Sequence, residues 1–191
     1  MFGSPNSYTE QMRLARLALF LLFIASVAVG QFTSKRLPKI VKVRPSEFPE
    51  LPANLLQELN RRHCMIPQLP KRSNIKRQNV INGEFAKAGQ VDWAVLCSSR
   101  GRTGRILVFW NGSELNPSTV DVGRLGLYTT IGPISEPFIT KQHSTWGPFI
   151  NELPTEIDHQ GIVSGSDSQS TVMYYYEGKW LTLNRTITAI Y

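Results

Sequence analysis

A chain of 191 residues with 41% hydrophobic and 18% charged residues is long enough for one domain with a real core, and too short for two of ordinary size. That balance excludes a mainly disordered chain. The formal charge of +7 is unevenly placed: Lys35 to Arg77 holds eleven basic residues against Glu47, Glu50 and Glu58, whereas from Val80 onward eight basic residues face ten acidic ones. The basic character belongs to the entry segment and not to the body of the domain, so no nucleic-acid partner is expected.

Arg13 and Arg16 precede an apolar run, Leu17 to Gly30, that is short for a membrane-spanning helix and suits the apolar region of a signal peptide. Ala28-Val29-Gly30 places small residues where a signal peptidase reads, so residues 1–30 are expected to be removed before Gln31 and the product exported to a periplasmic or extracellular space. The competing reading is an anchor retained over residues 14–30, because Lys35, Arg36, Lys39, Lys42 and Arg44 follow the run closely and oppose its passage. Those five side chains also offer a contact to an anionic membrane surface, although a plain solvated tether explains them as well.

Prolines 38, 45 and 49 prevent a helix in the next stretch, so residues 31–49 read as a basic, proline-rich linker or edge strand and residues 50–191 as one β-rich globular domain. One helix is well signalled: Pro52 suits its first turn, Leu51, Leu55, Leu56 and Leu59 fall on one face, and Arg61 and Arg62 suit its C-terminal end. It should stop near His63, leaving Cys64 just beyond. Residues 67–78 read as an exposed loop.

After that loop the period changes to two. Asn79 to Phe85, Asp92 to Ser98 and Arg105 to Trp110 are strand candidates, with Trp93, Val95 and Cys97 on one face, and Asn111-Gly112 ends the third in a turn. Cys64 and Cys97, the two cysteines of the chain, are consistent with one disulfide in an oxidising compartment, the alternative being two separate buried thiols. Between Ser113 and Leu153 the signals weaken. Leu125 to Ile131 is a strand candidate, and Gly132-Pro133, Glu136-Pro137, Gly147-Pro148 and Leu153-Pro154 read as breaks. Thr171 to Tyr176 and Lys179 to Leu183 flank Glu177-Gly178 as a two-residue hairpin with Tyr174, Tyr175, Tyr176 and Trp180 available for cross-strand packing. The fold class read from these elements is α+β: mainly antiparallel β, as a compact sheet or roll, with one N-terminal amphipathic helix.

The stretch from Gly83 to Val95, G-E-F-A-K-A-G-Q-V-D-W-A-V, resembles the calcium loop of the FG-GAP or VCBS type, in which a Gly-Asp-Phe start leads through alternate acidic ligands to a second Gly, an Asp and a hydrophobic strand. Gly83, Glu84, Phe85, Gly89 and Asp92 match that frame, and the chain as a whole is similar to exported bacterial proteins that carry a single such motif. The resemblance implies a hairpin module and brings no activity with it. A propeller is excluded, since it takes four or more blades and the chain supplies one motif. Calcium takes six to eight oxygens, yet Ala86 and Ala88 occupy the intermediate ligand positions and Lys87 adds an opposing charge. Glu84 and Asp92 are the residual metal candidates; the preferred reading gives Gly83 and Gly89 the turn geometry and lets Asp92 bond loop amides in place of an ion.

For chemistry the sequence offers little. His63, His143 and His159 lie in no zinc spacing, and no nucleophile elbow, P-loop or dinucleotide fingerprint is present. Asp158-His159 is the one pair suited to acid–base work, with a turn as the plainer reading. The expectation is therefore an exported, non-catalytic β-rich module, without cofactor, that binds a component of the cell envelope; a small hydrolase using Asp158 and His159 is the alternative.

Overall fold

The structure is a computed structural model that describes residues 39–69, 77–98, 101–127, 129–146, 154, 156–166 and 169–185. The expectations for residues 1–30, and those for Lys35 and Arg36, lie outside the described residues. In chain order come β1 (Val41–Val43), a 3-10 turn at Pro45–Glu47, α1 (Ala53–Arg61), β2 (Ile66–Gln68), β3 (Val80–Gly83), β4 (Asp92–Cys97), β5 (Thr103–Phe109), β6 (Ser118–Arg124), β7 (Thr130–Ile134), α2 (Glu136–Trp146), β8 (Gly161–Ser166), β9 (Gln169–Tyr176) and β10 (Lys179–Arg185). Among the described residues no helix is long and apolar enough to cross a membrane.

The strands form two four-stranded antiparallel meanders, β3-β4-β5-β6 and β7-β8-β9-β10, with β1 and β2 pairing as a small third sheet. Alternation fixes which side chains meet. Ala94 and Leu96 of β4 and Ile106 and Val108 of β5 turn toward Ile131, Ile162 and Met173 of the other sheet and bury the main core between the two. Val95, Leu107 and Phe109 point the opposite way, onto Leu55 and Leu59 of α1, which are fully buried. On the far side of the second sheet, Val172 and Tyr174 pack with Ile139 of α2 and with Ile157. The layers therefore run helix, sheet, sheet, helix.

One edge of this sandwich is closed by a single side chain. Asn79 is 1% exposed and holds a left-handed φ of 75°. Its Oδ1 accepts from the Ile131 amide at 2.9 Å, while its Nδ2 donates to Pro67 O at 2.7 Å and to Thr129 O at 3.3 Å. Three chain segments are thereby tied where β3 meets β7.

Several expectations are corrected. Of residues 39–49, Val41–Val43 takes the edge-strand alternative by pairing with Ile66–Gln68, and Phe48 is 2% exposed in the core beneath α1, so packing into the domain starts before residue 50. Phe48 and Ile40 supply the apolar surface that draws the proline-rich chain onto the domain. The middle strand is not Leu125 to Ile131. Two strands flank a turn at 125–127, in which the Thr129 hydroxyl accepts from the Gly126 amide at 2.7 Å. Gly132-Pro133 lies inside β7, which tolerates proline because it is an edge strand. Glu136-Pro137 opens α2 instead of breaking the chain, Pro137 falling in the first turn where its missing N–H costs nothing.

Candidate functional site

The disulfide is present: Cys64, just past α1, is bonded to Cys97 at the end of β4, with Cα atoms 5.1 Å apart. What places Cys64 is the helix end, where His63 adopts a left-handed φ of 53° and the Cys64 amide reaches back to Leu59 O at 2.9 Å. Beside the disulfide, Arg62, Thr103, Arg105, Leu107 and Thr119 line a surface groove of about 460 Å³. Both arginines are engaged, Arg62 with Glu58 at 2.5 Å and Arg105 with Asp121 at 2.9 Å.

The Gly83–Asp92 loop is organised around one buried carboxylate. Asp92 is fully buried, and each of its oxygens meets two N–H donors: Oδ2 accepts from the Phe85 and Ala86 amides at 3.0 and 2.8 Å, Oδ1 from Gln90 Nε2 and the Asn111 amide at 2.6 and 2.8 Å. A carboxylate so filled has no lone pair directed at a cation. Gly89 has the positive φ expected of the turn, 75°, whereas Gly83 lies at the end of β3 for another reason: a Cβ there would strike the Phe85 ring and the Gln160 side chain. Gln160 spans to the second sheet, its side-chain Oε1 accepting from the Glu84 N–H at 3.1 Å and its backbone N–H donating to Glu84 O at 2.9 Å. Glu84 thus contributes its backbone to this crossing. Among the described residues no three His, Cys, Asp or Glu side chains gather as metal ligands.

Asp158 and His159 do come together on the outer face of the second sheet, with His159 buried in its packing and the Asp158 side chain 61% exposed. His159 is 5% exposed and stacks on Tyr174 with ring centroids 4.3 Å apart. Nε2 donates to Tyr175 O at 2.9 Å; Nδ1 lies 2.6 Å from Asp158 Oδ1 and 2.9 Å from the Tyr174 hydroxyl, which itself donates to Asp158 Oδ1 at 3.1 Å. The His159 hydrogen bond holds the Asp158 carboxyl below its usual range, and burial foremost pushes the Tyr174 hydroxyl up to about 12. Both imidazole nitrogens are committed to the fold.

Of the basic candidates, Lys42 is drawn in: its Nζ donates to Ser98 Oγ at 2.8 Å and to Gly101 O at 2.6 Å, and partial burial lowers its pKa. Lys39 and Arg44 are exposed.

One concave feature was not foreseen. Between β6 and the second sheet, Val120, Val122, Thr129, Ser164, Gly165, Thr171, Met173 and Thr182 line a groove of about 320 Å³, half open to solvent, with Asp121 and Arg124 also in its lining. Cross-strand register explains its wall: Ser164 of β8 faces Thr171 of β9, and Thr182 of β10 faces Met173. Two residues further along the same face, Trp180 pairs with Tyr175, and both meet Trp110 at ring-centroid distances of 5.9 and 4.6 Å. The Trp180 Nε1 donates to Ser118 Oγ at 2.9 Å, bringing β10 against β6.

Comparison with protein families, with characterised proteins and with solved structures gives no match for this chain.

Proposed function

We propose that the chain is an exported, disulfide-stapled β-rich module that binds a component of the cell envelope and carries out no reaction of its own. The observation that supports this most directly is where its acid–base groups are spent. Asp92 is filled by four N–H donors and His159 by Tyr175 O, Asp158 and Tyr174, so the residual metal candidate and the imidazole of the acid–base pair both lock loops to sheets. A hydrolase using Asp158 and His159 needs a ring nitrogen facing substrate, whereas Nε2 is turned onto a strand carbonyl. In this reading Gly83 to Val95 is an FG-GAP/VCBS-like hairpin that has exchanged its ion for amide donors, and the Cys64–Cys97 bridge fits an oxidising compartment.

The test is the intact mass of the protein recovered from its host's envelope, alkylated with and without prior reduction. A chain beginning at Gln31 that takes up alkyl groups only after reduction supports the reading. Full-length protein with both thiols free refutes it, and full-length protein with oxidised thiols makes residues 14–30 an anchor.

A further inference from the structure

We infer that the groove between β6 and the β8-β9-β10 wall is a binding site for a neutral, polyhydroxylated ligand of saccharide class, an inference that rests on the non-catalytic binding role proposed above. Three features of the wall carry it. Ser164, Thr171 and Thr182 come from three adjacent strands, and among the described residues no side-chain hydrogen bond joins their hydroxyls to the protein. Ser164 is only 8% exposed. The three hydroxyls open onto the groove and are not engaged by the protein among the described residues, and a hydroxyl both donates and accepts, so the group that matches them best does the same.

The second feature is the opposite wall. Val120 and Val122 of β6 offer an apolar surface facing the hydroxyl surface of β8, β9 and β10. A sugar ring has that division, with C–H faces and hydroxyl edges. The third is charge and size. Asp121 and Arg124 are both exposed and Asp121 is already paired with Arg105, so no buried charge in the lining calls for a charged ligand. A volume of about 320 Å³ lies at the small end of the range for ligand pockets, room for one or two rings. Because the walls belong to two different sheets, packed through Ile106, Val108, Ile162 and Met173, the site is held open before any ligand arrives.

The experiment titrates the disulfide-bonded protein with D-glucose, N-acetyl-D-glucosamine and maltose, following the methyl resonances of Met173, Val120 and Val122 and the heat of binding. Saturable shifts at those methyls, with a Kd on the order of 1 mM or tighter, are expected for at least one sugar. Thr171→Val, which keeps the shape and suits a strand, should weaken that binding about tenfold, and Ser164→Ala similarly. Unchanged resonances of Leu55 and Leu59 beneath α1 would show that the variants fold. Absence of saturable shifts with all three sugars, or binding indifferent to Thr171→Val, overturns the inference. A sugar that binds these methyls and is then cleaved supports the groove while refuting the non-catalytic role; free thiols in the envelope protein refute the location and leave the groove untouched.

Discussion

Asp92 is the residue on which the Gly83–Asp92 loop depends. Removing its carboxylate strands the amides of Phe85, Ala86 and Asn111, of which the first is buried with no water to turn to. Asp92→Ala should therefore cost on the order of 3–5 kcal/mol. Urea unfolding in calcium and in chelator checks it: equal losses are expected, and a loss seen only with calcium would return the loop to the metal-binding class. This role was legible in the sequence, because Ala86 and Ala88 lack the oxygens an ion needs and the aspartate was left with amides for partners. The role of His159 was not. Its partners Tyr174 and Tyr175 stand fifteen and sixteen residues on, in β9, and only the register of β8 against β9 brings them near. The three groove hydroxyls escaped notice for the same reason, since each is an ordinary strand residue until three strands are set side by side.

At the scale of elements, α1 carries a pH-dependent contribution. Glu58 accepts from Arg61 at 2.6 and 2.7 Å and from Arg62 at 2.5 Å, and those hydrogen bonds, Arg61 first, lower its pKa from 4.5 to about 2. A carboxylate depressed by folding adds stability that is present above its unfolded value near 4.5 and is lost as pH falls through about 2. Both guanidinium groups reach solvent, with 68% and 36% of their side chains exposed, so the contribution should be about 0.5–1 kcal/mol. The stability difference between the protein and Glu58→Gln, measured by urea unfolding, is expected at pH 7, should shrink as pH falls below about 4.5 and vanish only below the folded value of about 2; a difference that stays undiminished down to there would assign the effect to packing of the side-chain stem. Elements with a full apolar signature were readable: α1, β4, β5 and the β9-β10 hairpin, whose Glu177 and Gly178 take the positive φ values of 47° and 80° that a two-residue turn demands. β6 was missed although Val120 and Val122 alternate, because two apolar residues beside a glycine make a faint pattern. α2 was missed because its Thr and Ile residues have modest helix preference, and the burial of Ile139 against the second sheet, which no local window contains, holds it in place.

For the whole molecule, the Cys64–Cys97 bridge joins the helical layer to the sheet it covers. With its ends separated by 33 positions in sequence, the chain-entropy relation gives about 3.7 kcal/mol, a sizeable part of a typical domain's stability. Reduction, or the paired change Cys64→Ser with Cys97→Ser, should lower the unfolding free energy by about 3–4 kcal/mol in urea; a loss below about 1 kcal/mol would mean that α1 is held by Leu55 and Leu59 alone. Each sheet is made of strands consecutive in the chain, and this has a bearing on how the protein is born. A ribosome delivers the N-terminal part first, so Cys64 and Cys97 can meet, and the α1-covered sheet can zip from neighbouring hairpins, before Thr130 emerges. The second meander then folds against a finished template, and Asn79, whose side chain receives the Ile131 amide, is the latch that registers the late half on the early one.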